Sequence, residues 1–269
     1  MINTSSGLDI TKISKIQESS SREAEIAVQK PPIVLNKVPG VRPVHLVAYY
    51  DYSAKNYPYA ERNTTRWFAE NIKPNWTILD IGANIGQYAI MFSRLVPQGF
   101  VYAFEPTKTI HMLARNLEYN NVGKNIELIP QALGAKIGQH KDKIFRIYGK
   151  EPKPEEALYE FNTVDNFVAE RGIKVDAIKC DVDSFDFEVL QGAREVMRTQ
   201  NPYIVVELNH ALHKRDTSPD QALRWMAEQG YVHTKVFDRY NYLFKVSEED
   251  LKIDPSHRFT PAIVVEWDQ

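Results

Sequence analysis

The stretch "ILDIGANIGQYAI", Ile78 to Ile90, decides how the rest of the chain is read. An apolar run of strand character passes through Gly82 and Gly86 into a helical pattern, and Asp80 stands just ahead of the glycines. A strand-to-helix turn of this kind lets a ligand approach the backbone, because glycine has no side chain to hold it off. The dinucleotide fingerprint is absent, since its middle glycine would fall on Asn84. The phosphate-binding loop is absent too, because no Gly-Lys-Ser/Thr follows. A carboxylate at Asp80 repels a pyrophosphate but welcomes an ammonium, so the expected ligand is cationic or zwitterionic.

The second strand-like run ends in "FEP", nineteen residues past Gly86, and puts Glu105 where an acid accepts the two hydroxyls of a ribose. Asp80 and Glu105 together describe a nucleoside with an amino-acid tail and no phosphate. Each has a plainer alternative: Asp80 as an acid satisfied by amides at a helix N-terminus, Glu105 as a surface carboxylate.

Outward from this turn, strand candidates alternate with helical patterns. The strands are "WTILDI", "FVYAFE", "IELIP", "VDAIKC", "YIVVEL" and "YVHTKVF". Ile85, Ala89, Phe92 and Val96 line one helix face; Ile110, Leu113 and Leu117 a second; Val189, Ala193 and Val196 a third. This rhythm predicts a doubly wound α/β fold with a mostly parallel sheet, its functional strand ends along one edge. Two departures are expected. The long polar segment from Gly134 to Phe167 predicts a small hairpin followed by a helix, and "GYVHTKVFDRYNYLFKV" predicts an antiparallel hairpin at the sheet edge, turning near Arg239 to Asn241.

The 269 residues are 43% apolar and 25% charged, enough to bury a substantial core. Lys and Arg number 33 against 35 acids, so no excess of positive charge points to nucleic acid or an anionic membrane surface. No apolar run approaches the ~18 residues of a spanning helix, and the start "MINTSSGLDITKISK" lacks a signal-peptide core. The single cysteine, Cys180, excludes an intrachain disulfide and reads as buried filler, so the expected location is the cytoplasm. Residues 1–48 contain no Phe, Trp or Tyr, which argues against a packed core there. They are read as an N-terminal arm, either disordered or docking. Ile10, Ile13 and Ile16 suit a short helix face that Ser19, Ser20 and Ser21 interrupt, and Pro31, Pro32, Pro39 and Pro43 favour extended chain. Residues 49–269 are read as one domain.

The chain resembles the class I S-adenosylmethionine-dependent methyltransferases, which have a Rossmann-like fold, and within them the FkbM-type methyltransferase family. The family's motifs read here "DIGANIG", "FEPT", "QALG", "NTVDNF" and "IKCDVDSFDFEVLQGA", in order from Asp80 onward. The resemblance implies S-adenosylmethionine as cofactor, held by Asp80, Gly82, Asn84, Gly86, Glu105, Pro106, Gln131 and Ala132. It also implies methyl transfer to oxygen, on a small-molecule or saccharide-like acceptor. In the fourth-strand motif Asp183 and Asp186 stand for the family's glutamates and Ser184 for its glycine. Each aspartate is one methylene shorter, so the family's substrate does not carry over.

A sulfonium methyl is already activated, so the protein must hold donor and acceptor in line and remove a proton from a hydroxyl acceptor. Asp181 and Asp183 follow the fourth strand, and Glu207 and His210 follow the next, with Asn209 between them. These are the candidate catalytic residues, gripping a hydroxyl-rich acceptor with His210 or an acid as base. A Mg²⁺ or Ca²⁺ site built from the same oxygens is the lesser alternative, and acids favouring a helix N-terminus with solvated histidines is the plain one. Tyr57, Tyr59 and Arg62 are candidates to line the donor or acceptor pocket, or else belong to an aromatic helix packed on the sheet. A catalytically silent module that binds S-adenosylmethionine is the alternative function. Oligomeric state is left open.

Overall fold

The computed structural model describes residues 33–35, 42–46, 60–143 and 156–246. It shows a mostly parallel α/β fold of the Rossmann-like type, with an antiparallel hairpin at the edge of its sheet. Two compact units divide the chain, the first reaching Ala132 and the second taking up at Leu133.

In the first unit, residues 33–46 contribute β1 (Ile33–Leu35) and β2 (Val44–Leu46), paired antiparallel. The core strands β3 (Thr77–Ile81), β4 (Phe100–Phe104) and β5 (Ile126–Ile129) run parallel, with Asp80 level with Ala103 and Phe104 level with Ile129. In β3 and β4 every residue after the first is buried, as expected of parallel strands covered on both faces. Three helices complete the unit: α1 (Arg62–Asn71), α2 (Gln87–Leu95) and α3 (Ile110–Tyr119). The expected apolar faces of α2 and α3 are buried. Trp67 and Phe68 of α1 are buried as well, and the Phe68 ring meets Phe92 edge-on at 4.8 Å and Tyr88 at 5.9 Å. That part of the aromatic segment packs on α2. Arg62 is exposed, and Tyr57 and Tyr59 lie outside the described residues.

The expectation that the arm lacks a packed core fails for the part that is described. Leu35, Val44 and Leu46 are buried, and β2 packs on α2 and α3. The backbone N–H of His45 donates to Asn120 Oδ1 at 3.0 Å, while the Asn120 amide donates back to the His45 carbonyl. Aromatic content misled here because burial follows apolar area, which aliphatic side chains also supply. Ile10, Ile13, Ile16, Ser19, Ser20, Ser21, Pro31, Pro32 and Pro39 lie outside the described residues.

The short β6 (Ala132–Leu133) lies where the units divide. In the second unit, β7 (Gly138–Asp142) and β8 (Ala157–Asn162) form the predicted hairpin, and α4 (Val164–Arg171) follows. Thr163 caps α4 by accepting the Asn166 N–H, and Gly172, at φ +59°, ends it. The strands β9 (Ala177–Cys180) and β10 (Tyr203–Glu207) are parallel. The third predicted helix face is divided between α5 (Asp186–Gln191) and α6 (Arg194–Gln200). The break coincides with a close approach by distant segments. The Gly192 carbonyl accepts the Asp165 N–H, and a Cβ on Gly192 would come within 2.1 Å of the Gly134 carbonyl oxygen, so the chain turns there on a residue that must be glycine. Both Asp165 carboxylate oxygens then take the first amides of α6, at Glu195 and Val196. A 3₁₀ helix (His210–Arg215) and α7 (Pro219–Glu228), capped by Ser218, lead to β11 (His233–Phe237) and β12 (Asn241–Lys245). These two strands make the predicted antiparallel hairpin, with β12 pairing on β10. Among the described residues no helix is long and apolar enough to cross a membrane.

Candidate active site

In the first unit the chain leaves β3 at Asp80 and Ile81 and turns sharply. Gly82 at φ +80°, Asn84 at φ +51° and Gly86 at φ +97° all adopt left-handed backbone, which glycine enters freely and asparagine tolerates. The N–H groups of Gly82 and Ala83 both donate to the Phe104 carbonyl, at 3.0 and 2.9 Å. Gly86 does more than admit a ligand, because a Cβ there would come within 2.5 Å of Leu113 Cδ1, and its small size lets α3 pack close. Asp80 is wholly buried.

Glu105 follows β4 and is also buried. Its Oε2 accepts the backbone N–H of Asn84 at 3.0 Å, and its Oε1 accepts both the N–H and the hydroxyl of Thr107. The carboxylate therefore locks the turn after β3 to the loop after β4. Oε2, with a single bond from Asn84, keeps a lone pair for a ligand hydroxyl. Pro106 and Gln131 are part-exposed and Ala132 is buried.

In the second unit Val206 of β10 is level with Cys180 of β9, so Glu207 and Asp181 stand at the same end of neighbouring parallel strands. Glu207 accepts from the Asn209 amide at 2.7 Å, and Asn209 Oδ1 caps the 3₁₀ helix by accepting the Ala211 N–H. His210, the first residue of that helix, is exposed. Asp181 pairs with the buried Lys179 ammonium at 3.5 Å. Asp183 sits at φ +55° and Ser184 at φ +145°. The Asp186 carboxylate holds this loop from below: Oδ1 accepts the Val182 N–H at 3.0 Å and Oδ2 the Ser184 N–H at 3.2 Å. Asp186 is thereby a loop-holding residue.

Burial, with the charges of Asp181 and Asp186 beside it, pushes the Asp183 carboxyl up to about 8. Burial and Asp181 push Asp186 up to about 7, against the backbone N–H groups that favour its charged form. Burial also raises the Cys180 thiol, which leaves it inert filler. Among the described residues no group of three or more His, Cys, Asp or Glu is placed to hold a metal ion.

The Methyltransferase FkbM domain matches residues 80–232, more than half of the chain. The chain belongs to the FkbM methyltransferase family. A relative, Methyltransferase sdnD of Sordaria araneosa, is 26% identical in an alignment of length 163 that covers 46% of this chain and 63% of that protein. The FkbM methyltransferase of Methylobacillus flagellatus KT superposes with a TM-score of 0.47 at 15% identity, over 72% of this chain and 55% of that one. An rRNA methylase from Streptococcus thermophilus gives a TM-score of 0.43 at 12% identity, over 69% of this chain and 96% of that one.

The family's cofactor, S-adenosylmethionine, is a polar ligand, and the first unit holds buried polar groups of the kind such a ligand could engage. The side-chain amide of Gln87, the first residue of α2, is buried with neither end hydrogen-bonded, as are Thr109 Oγ1 and His111 Nε2 at the start of α3. Burial, with Arg115 and Lys108 nearby, lowers the His111 pKa and keeps its ring neutral. Unspent buried polar groups cost about 1–3 kcal/mol each, and a polar ligand would recover part of that. Gln87, Thr107, Thr109 and His111 were not among the residues expected from the sequence. The threonine of "FEPT" was the one signal, since a hydroxyl two residues after an acid can bond back to it.

Proposed function

We propose that this chain transfers a methyl group from S-adenosylmethionine to a hydroxyl of a small-molecule or saccharide-like acceptor. The observation that carries the oxygen preference is the Asp183 carboxyl, part-buried and pushed up to about 8. Once ionised, a carboxylate of that strength is a better base toward a hydroxyl than a solvated aspartate, and it becomes available as the pH rises towards 8. When bound, the donor supplies a methyl already activated on a sulfonium. Glu105 Oε2 accepts from the ribose, and the Asp80 carboxylate favours the cationic end of the donor. Asp183 Oδ removes the acceptor proton as the carbon–oxygen bond forms, and Asp181 and Glu207 orient the acceptor's other hydroxyls. His210, exposed to solvent, is the weaker candidate for the base.

The test pairs calorimetry of S-adenosylhomocysteine binding with a transfer assay over a panel of polyol and glycoside acceptors, read by mass spectrometry. Wild type should bind S-adenosylhomocysteine and methylate at least one acceptor at oxygen. Asp183→Asn and Glu207→Gln should abolish or strongly slow transfer with donor affinity kept within about threefold. Donor binding without transfer to any acceptor would leave a binding module, and collapse of donor binding in these variants would move the acids to the donor. Loss of wild-type transfer on chelation, restored by Mg²⁺, would replace Asp183 as base by a metal.

A further inference from the structure

The second unit holds a cleft of about 320 Å³ that the steps above leave unused. Hairpin β7–β8, helix α5 and the 3₁₀ helix meet there around one guanidinium. Arg215 Nε donates to Glu188 Oε2 at 2.7 Å, and its Nη1 and Nη2 donate to the two oxygens of Asp142 at 3.3 and 3.2 Å. Its Cζ lies 3.6 Å from the centre of the Phe185 ring, so the fork is fixed in a plane. Phe161 packs 5.5 Å from Phe185, and the exposed His140 ring lies 5.6 Å from Phe161.

Three of the five guanidinium N–H groups are used in these bonds, which leaves two donors on the terminal nitrogens. Glu188 Oε1 accepts no hydrogen bond among the described residues. Donors and an acceptor are therefore offered side by side above aromatic rings. A hydroxyl pair needs both kinds of partner, whereas a phosphate needs donors alone and would meet two carboxylates. The charges of the lining cancel, Asp142 and Glu188 against Arg215 and the exposed Lys136. A sugar ring adds an apolar C–H face that suits Phe161, the Phe185 ring being covered by the Arg215 guanidinium.

We infer that this cleft is a subsite for a neutral vicinal diol of the pyranose type, held by the Asp142–Arg215–Glu188 fork. It rests on the acceptor reading above and specifies the acceptor's class. The competing account is a clamp that only ties the hairpin to α5.

Saturation-transfer difference NMR on the full chain, with and without S-adenosylhomocysteine, separates the two. The probes are methyl α-D-mannopyranoside, its 2,3-dideoxy analogue and inorganic phosphate. The mannoside should receive saturation and the dideoxy analogue should not, and phosphate should fail to displace the mannoside. Arg215→Lys keeps the charge but loses the fork, and should weaken mannoside binding by about tenfold or more. Glu188→Gln keeps the bond from Arg215 but loses the charge, and should weaken it less. No saturation of the mannoside or of its gluco and galacto epimers, equal binding in a folded Arg215→Lys protein, or displacement by phosphate would each overturn the subsite. Calorimetry of S-adenosylhomocysteine on the same samples keeps this apart from the donor reading, since retained donor binding with no diol binding refutes the subsite alone.

Discussion

The backbone N–H of Asn84 donates to Glu105 Oε2 at 3.0 Å, tying the glycine turn after β3 to the end of β4. One carboxylate thus shapes this turn and, on the proposed reading, also accepts from the ribose, so its loss should act on donor binding twice over.

Glu105→Ala should weaken S-adenosylhomocysteine binding by about 10- to 100-fold. A hydrogen bond to a charged acceptor contributes about 1.5–3 kcal/mol, and each ~1.4 kcal/mol is tenfold. Calorimetry measures it, and unchanged affinity in a folded variant would remove Glu105 from the donor site.

Ser184→Gly should stabilise the protein. Ser184 carries φ +145°, a backbone region that favours glycine, and its Oγ is buried without a hydrogen bond. Relief of about 1–3 kcal/mol of strain exceeds the about 0.4–1 kcal/mol that glycine costs through the unfolded chain. A net gain of about 1 kcal/mol corresponds to a rise of about 2–4 °C in the thermal midpoint. A midpoint that falls would show that the serine is held by favourable contacts.

Stability should decline between about pH 4 and pH 8. The Asp183 and Asp186 carboxyls are raised from an ordinary 3.8 to about 8 and about 7. Across that window the folded state holds protons that the unfolded state has released. The stabilisation is complete below pH 4 and is lost as pH rises through the folded values. Thermal midpoints recorded from pH 4 to pH 9 should show the decline, and Asp183→Asn should flatten it. The transfer rate should rise over pH 7–8 as Asp183 becomes able to accept a proton.

Asn120→Ala should release β2. The buried Asn120 side chain bonds the N–H and the carbonyl of His45, accepts from Arg94 Nη2 at 2.9 Å and donates to the Asn116 carbonyl at 2.8 Å. Leaving such groups unpaired costs about 1–3 kcal/mol. The midpoint should drop by about 4–8 °C for a loss of about 2 kcal/mol. Limited proteolysis should then cut near residues 33–46 first, and cleavage elsewhere with those residues intact would refute this anchor.

What the sequence by itself determined is what short-range pattern dictates. Runs such as "TILDI" and "YIVVE" are apolar enough to be buried strands in any packing, and Gly82 and Gly86 mark a left-handed turn wherever the chain goes. Asp80 and Glu105 stand out in the sequence because each is an acid at the end of an apolar strand run. Tertiary structure alone decided the break of the third helix face at Gly192, because the cause is Gly134 in a distant segment. It alone decided that Leu35, Val44 and Leu46 are core, since Asn120, which fastens them, is 75 residues from His45. The Asp142–Arg215–Glu188 fork likewise joins residues 73 and 27 positions apart, with no local spacing to announce it. The raised Asp183 carboxyl depends on burial and on neighbouring charge, and both exist only once the chain has folded around it.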